Sequence, residues 1–451
     1  MRVVVVGLRA TGAVVARWCR ARGDDVVVVE EQPGQPGYAE RVGAARALGV
    51  TVLEGPADWP ALVAGADLFV PSPGVRPGHP SMVAARAAGV AVRGDLDLAL
   101  EAATVPSVVI TGTNGKSTVT SLVSQMLERS GFRAPAVGNI GRVALEALGA
   151  PGTEPVDRLV VEASSFQLHT VTATFAPSVA VLLNLADDHL DWHGSRAAYA
   201  ADKAKVFVHQ RADDVLVANA DDPAVVELAA GAPGRVLWCS LGPPAAGGLG
   251  WVDGGLVDDA GTVILTAPPG AAPHDRANLA AAAAAARAAG ATDRAISAAA
   301  SDFRRLHHRT ELVGQAGGVQ FVDDSKATNP HAAIAAIRGY ERVVLIAGGV
   351  SKGVDLGVLG AEHERLAAVV AIGATPGEVE AAFAGRVPTV RAASMRAAVQ
   401  AARDLAVPGD TVLLSPACAS FDWYESYAAR GDDFQSEVLA VLGADAPEVD
   451  A

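Results

Sequence analysis

Residues 108–122 read VVITGTNGKSTVTSL. A short apolar run gives way to a glycine turn and then, without a break, to a helix-forming segment. That order constrains the fold: a buried strand ends where the glycines begin, and the chain turns into a helix whose first N–H groups face the turn. Those N–H groups and the positive end of the helix dipole favour an anion. The common phosphate loop is G-x-x-x-x-G-K-[ST], whereas here Gly112 precedes Gly115-Lys116-Ser117 by only three positions. The shorter spacing changes the loop but not the chemistry. Gly112, Thr113, Asn114 and Gly115 can turn backbone N–H groups toward phosphate, Lys116 brings charge, Ser117 offers a hydroxyl to magnesium, and Thr118 continues the helix start.

A chain of 451 residues exceeds one ordinary domain, and roughly 150 residues per domain gives about three. The first segment opens as strand VVVVG, a helix to about Ala21, and strand VVVVEE, the β-α-β start of a nucleotide-binding fold; Gly7 and Gly12 do not complete G-x-G-x-x-G. Later strands are DLFV, then LVVE, SVAVLL and DVLVAN in the second segment, and VQFVD, RVVLIAGG, AAVVAIG and DTVLLS in the third. Each ends in small or polar residues. The expected architecture is α/β with mostly parallel sheets, divided at 1–93, 94–304 and 305–451, Rossmann-like end domains flanking a central phosphate-loop domain.

The formal net charge of -14 argues against a nucleic-acid backbone or an anionic membrane surface as partner. Three scattered cysteines fit a reducing compartment without a disulfide framework. The apolar run at Val3–Val6 meets glycine too soon for a secretory segment, and the alanine tract 280–289, broken by Arg287, is short of the roughly 20 residues that span a bilayer. A cytoplasmic chain without an integral membrane segment is expected.

Lysine and arginine together number 36, yet lysine occurs only at 116, 203, 205, 326 and 352. A lysine kept in an arginine-rich chain is a candidate for chemistry that arginine cannot do: a compact charge on phosphate, or an amine that can lose its proton. Read as helix, AAYAADKAKVF puts Lys203 on the same side as Tyr199; without a special role it would be a solvated surface lysine.

TGTNGKST is the form this loop takes in the Mur ligase and folylpolyglutamate synthase superfamily, which the whole chain resembles. GNIG at 138–141, EASSFQL at 162–168, NLADDHLDWHG, NADD at 219–222 and HHR at 307–309 belong to the same resemblance. DSKATN and SPACASFD are specific to its glutamate-adding Mur ligases. The resemblance implies ATP and two magnesium ions, with Ser117, Glu162, His189 and Lys203 as metal ligands. Lys203 would carry a carbamate derived from carbon dioxide. Lys116, Glu162, His189 and Lys203 would be catalytic. Asn278, Arg309 and Asp324 would join the loop in binding ATP. Thr11, Ser72, Asn139 and His189 would hold the UDP-sugar, UDP-N-acetylmuramoyl-L-alanine, and Lys326, Thr328, Lys352, Ser420 and Tyr427 the D-glutamate. A monomer acting on small molecules, without nucleic acid, is implied.

Three departures stand out. His274-Asp275 replaces the usual His-Asn before the alanine-rich helix, Tyr427 stands where phenylalanine is common, and Glu30-Glu31-Gln32 lacks an arginine that holds uracil in relatives. Two alternatives remain: a related ligase adding another amino acid, and a nucleotide-binding reductase or sensor built on the first segment, which would leave the later motifs idle.

Overall fold

Runs of valine, isoleucine and leucine bounded by glycine or polar residues become strands, and the alanine-rich stretches between them become helices. The computed structural model describes residues 1–35, 37–148, 155–302 and 307–444. They form two compact units, Met1–Leu185 with Ala197–Phe303, and Ala186–Arg196 with Arg304–Ala451.

The first unit holds two sheets. The N-terminal one consists of β1 (Arg2–Val6), β2 (Asp25–Glu30), β3 (Thr51–Glu54), β4 (Leu68–Pro71) and β5 (Ala91–Val92), in the order β3-β2-β1-β4-β5 and parallel throughout. The larger sheet runs through β6 (Ser107–Thr111), β7 (Ala136–Gly138), β8 (Leu159–Glu162), β9 (Val179–Leu182), β10 (Val215–Asn219), β11 (Arg235–Ser240), β12 (Leu249–Val252), β13 (Gly255–Asp258) and β14 (Val263–Thr266). Its order is β14-β13-β12-β11-β10-β9-β6-β8-β7, parallel except at the β12-β13-β14 meander. One apolar cluster reaches from Val3 and Val28 to Val109, Val161 and Leu216, so the two sheets of this unit share a core.

The second unit carries β15 (Glu311–Ala316), β16 (Val319–Asp323), β17 (Val343–Gly348), β18 (Leu366–Ile372), β19 (Thr389–Arg391) and β20 (Thr411–Leu414), ordered β15-β16-β20-β17-β18-β19. Only the β15-β16 hairpin is antiparallel. The expected α/β class with mostly parallel sheets holds; the two antiparallel edges were not read from the sequence.

The helix Lys116–Arg129, whose sequence mixes apolar and polar residues as an amphipathic helix would, is buried along most of its length, from Ser117 to Leu127. The reason is the helix Pro273–Ala288, which packs against it with Ala280 to Ala286 wholly or nearly wholly buried. Methyl-sized side chains let the two helices approach closely. No described helix is long and apolar enough to cross a membrane. All three cysteines are buried and unpaired. Ala283→Leu should force this contact apart and cost about 1–3 kcal/mol, read as a lower melting temperature and denaturant midpoint with an unchanged slope.

Candidate active site

Strand order assembles the phosphate-loop region. Because β6 lies between β8 and β9, with β7 beyond β8, register sets Ile110 beside Glu162 and Thr111 beside Leu182. The loop 112–115 therefore leaves the sheet with Glu162 on one side and Asn184 on the other, at the carboxyl edge where parallel sheets bind ligands. Asn184, which the sequence reading passed over inside NLADDHLD, fixes the loop. Its Oδ1 accepts from the Asn114 N–H at 2.8 Å, its Nδ2 donates to the Asn114 carbonyl at 3.1 Å, and its own carbonyl accepts from the Thr113 N–H at 3.0 Å. Gly115 sits at φ 86°, and a Cβ there would lie 2.4 Å from Asn278 Oδ1. Asn278 thus lies against the loop. Asp275, in place of the familiar asparagine, accepts from the Ala272 N–H at 3.2 Å and caps its own helix.

Both lysines of this region reach one carbonyl. Lys116 Nζ donates to Gly112 O at 3.0 Å and to Thr113 O at 2.8 Å, and Lys203 Nζ donates to Gly112 O at 2.7 Å. Lys203 is 1% exposed and lies over the Tyr199 ring at 4.7 Å, as the four-residue spacing anticipated. A solvated surface lysine is excluded. The Tyr199 hydroxyl meets Thr113 Oγ1 at 3.1 Å, so the helix Arg196–Ala204 is tied to the loop twice.

Glu162 is 2% exposed; its Oε1 accepts from Asn139 Nδ2 at 2.7 Å, while its Oε2 is buried without a hydrogen-bond partner. An orphaned buried carboxylate oxygen is costly unless a cation meets it. Glu162 therefore fits a hard oxygen-seeking ion such as magnesium; Ser117, the other ligand expected on this side, lies in the first turn of the helix after the loop. Asn139, expected at the UDP-sugar, is bonded to this carboxylate.

In the N-terminal sheet, Gly7 ends β1 beside Ser72 at the end of β4, so close that a Cβ on Gly7 would lie 2.6 Å from Ser72 Oγ. That hydroxyl is itself buried and unpartnered. Thr11 lies in the helix that follows the glycine turn. Glu30 turns back to accept from the Leu8 N–H at 2.8 Å, and Glu31 from Trp59 Nε1 at 3.2 Å. These acidic strand ends thus serve the fold.

The second unit gathers its predicted residues the same way. The neighbours β16, β20 and β17 end in the loops carrying Lys326, Ser420 and Lys352. The loops are stitched by Ala417 N–H to Ala327 O at 2.9 Å, Gly348 N–H to Pro416 O at 2.9 Å, and a reciprocal pair between Val350 and Ala419. Lys326 Nζ lies 5.3 Å from the centre of the Tyr427 ring, and Lys352 Nζ bonds Asp188 Oδ1 at 2.6 Å. Thr328 follows Lys326 in its loop, with its N–H on the Lys326 carbonyl at 2.9 Å. His189, at φ 54°, starts the short helix Leu190–His193 beside Asp188.

Sequence reasoning missed Arg430, which stands just before Gly431 and the acidic pair in FDWYESYAARGDD. Almost completely buried, it donates to Ser325 Oγ at 3.0 Å, Ser325 O at 2.8 Å and Cys418 O at 3.0 Å, bridging the two signature loops. Burial pulls its guanidinium down to about 10. Asp324 is also buried, accepting from Ser415 Oγ at 2.8 Å and the Thr310 N–H at 3.2 Å. Burial pushes its carboxyl up to about 7, against the charge of Arg309 and these donors.

Comparison with known proteins agrees with this geometry. The "Mur ligase MurD-like, N-terminal domain" family matches residues 1–94, the "Mur ligase middle domain" family 110–248, and the "Mur ligase, glutamate ligase domain" family 308–418. A UDP-N-acetylmuramoylalanine--D-glutamate ligase of Frankia casuarinae is 45% identical over 98% of this chain and 94% of its own length. One from Thermobifida fusca is 44% identical over 98% and 99%. The chain therefore belongs to the Mur ligase family, in its UDP-N-acetylmuramoylalanine--D-glutamate ligase branch. Among solved structures, MurF from Acinetobacter baumannii aligns at TM-score 0.63 and 16% identity over 96% of this chain and 93% of that one. A pseudomurein peptide ligase type C from Methanothermus fervidus gives 0.63 and 16% over 98% and 100%. At these identities they establish the fold.

Asp324 sets a pH dependence. Its folded value lies above the unfolded one, so the native state holds a proton that the unfolded chain has released; the stability this contributes is full below about pH 4 and lost as pH rises toward about 7. Asp324→Asn should flatten the fall in stability between those limits, measured by urea unfolding at several pH values.

Proposed function

We propose that this chain is an ATP-dependent ligase that joins the carboxylate of UDP-N-acetylmuramoyl-L-alanine to the amine of D-glutamate in peptidoglycan precursor synthesis. The observation that carries the reading is the stitching of the DSKATN and SPACAS loops through Arg430 and Ala327, in a chain that matches the glutamate-adding ligases along nearly its full length.

A carboxylate does not accept an amine directly, because oxide would have to leave. Transfer of the γ-phosphoryl group of ATP to the carboxylate oxygen gives an acyl phosphate and ADP. The D-glutamate nitrogen then adds to the acyl carbon, loses a proton, and phosphate departs with its electron pair as the amide forms. Phosphoryl transfer depends mainly on positioning and charge. Gly112 to Thr118 are assigned to the phosphates, with Lys116 released from its two backbone carbonyls toward them. Asn278, Arg309 and Asp324 complete the ATP contacts. Magnesium, as two ions held by Ser117, Glu162, His189 and Lys203, would neutralise charge on the phosphates. Thr11, Ser72, Asn139 and His189 are assigned to the UDP-sugar. Lys326 and Lys352 are assigned to the two carboxylates of D-glutamate, with Thr328, Ser420 and Tyr427 orienting it. The domain limits 1–93, 94–304 and 305–451, a monomeric state and a cytoplasmic location belong to the same reading.

Lys203 is read as a carbamate. A neutral amine adds carbon dioxide and releases a proton, which converts a cation into an oxygen ligand. Burial of Lys203 beside the loop favours the neutral amine that carbon dioxide requires, and a bound magnesium ion would hold the anionic product.

The reading is tested by phosphate release with ATP, the UDP-sugar acceptor and each candidate amino acid in turn. D-glutamate alone should support turnover. Lys326→Ala and Ser420→Ala should raise its apparent KM far more than that of ATP; the reverse pattern would remove the pocket assignment. Lys203→Ala should be nearly inactive and partly restored by formate or acetate, whereas Lys203→Arg should be neither active nor restored. Normal turnover of Lys203→Arg in carbon-dioxide-depleted buffer would rule the carbamate out.

A further inference from the structure

The second unit carries a cluster of imidazoles and carboxylates that the ligation chemistry leaves unused. His307 and His308 stack with ring centroids 3.7 Å apart. His307 Nδ1 lies 2.6 Å from Glu311 Oε2, and His308 Nδ1 lies 2.7 Å from Asp323 Oδ2. A carboxylate at Nδ1 takes the ring proton to that side and leaves the lone pair on Nε2. This is the outer arrangement that orients histidines on metals.

The carboxylates are themselves held. Glu311 Oε2 also accepts from the His308 N–H at 2.9 Å and Gln435 Nε2 at 3.2 Å. Asp323 accepts from Gln435 Nε2 at 2.9 Å and the Ser325 N–H at 2.8 Å.

The two Nε2 atoms converge on one oxygen. Asp432 Oδ1 is 3.6 Å from His307 Nε2 and 3.5 Å from His308 Nε2. Ligand atoms around a tetrahedral zinc, with bonds of about 2.0–2.2 Å, stand about 3.3 Å apart. The two nitrogen–oxygen separations are within a few tenths of an ångström of that spacing, and all three ligand atoms lie within 4.8 Å of one another. His308 is buried, whereas His307 and Asp432 are exposed and admit the ion from solvent.

We propose that His307, His308 and Asp432 form a site for a borderline divalent transition-metal ion, zinc above all. Two imidazoles and one carboxylate suit zinc, nickel or cobalt and match poorly the oxygen ligands that magnesium prefers. None of the three is among the magnesium ligands assigned above. It joins the start of the β15-β16 hairpin to the helix Tyr427–Ala444, two residues beyond Arg430. A bound ion would thus tether the segment that holds the two signature loops together.

The experiment titrates the metal-free full-length chain, in excess magnesium, with zinc against a chromophoric chelator and follows melting in parallel. The parent should take up one tight equivalent that His307→Ala and Asp432→Ala lose, with at least about a tenfold weaker affinity and no zinc-induced rise in melting temperature. Ligation measured without zinc should be unchanged in both variants, which shows that they fold. Zinc entering the magnesium positions would remain in both variants and so is subtracted. Cobalt should give the visible absorption of a nitrogen-and-oxygen site in the parent only. Identical zinc uptake by the parent and both variants, or none by the parent, overturns the proposal.

Discussion

The insertion of β6 between β8 and β9 is the constraint on which the nucleotide end of the molecule depends. Parallel pairing fixes Ile110 against Glu162 and Thr111 against Leu182, so a two-residue slip on either side would carry Glu162 or Asn184 away from the loop. Once the register is set, the loop has little freedom. Gly112 and Gly115 adopt backbone angles open to glycine, Asn184 clamps Thr113 and Asn114, and two lysines bond the Gly112 carbonyl. Buried valine and leucine on the strands supply the packing that holds this register. The chemistry-bearing groups sit at its rim.

Buried charge is organised differently in the two units. In the first, Glu162 keeps one carboxylate oxygen without a donor, an arrangement suited to an incoming cation. In the second, Arg430 is almost wholly enclosed and spends its donors on backbone carbonyls and a hydroxyl. An enclosed guanidinium with fixed acceptors resists movement, because breaking any bond leaves a buried donor unpaired. That cost makes Arg430 a brace between loops far apart in sequence.

The elements and many site residues were legible because they are local. Strand-glycine-helix order announced the phosphate loop, alternating apolar runs announced parallel sheets, and the scarcity of lysine pointed to Lys116, Lys203, Lys326 and Lys352. What stayed hidden was pairwise. Asn184 looks like any polar residue after a strand, and Arg430 like any helix arginine. The helix Lys116–Arg129 reads as amphipathic until the alanine-rich helix covers it. Glu30, at the acidic end of β2, secures the turn after β1 by accepting from the Leu8 N–H.

The sequence alone determined the α/β class, the phosphate-loop chemistry and the motifs of the glutamate-adding ligases, since each rests on residues within a few positions of one another. Only the tertiary structure decided which strands are neighbours, and with that which of those residues share a sheet edge. It also decided that Lys203 is buried over Tyr199 and that two histidines meet Asp432 from opposite ends of a unit. The physical reason is that burial and hydrogen-bond partnership are properties of pairs brought together by packing, and a linear chain states the members without stating the pairs.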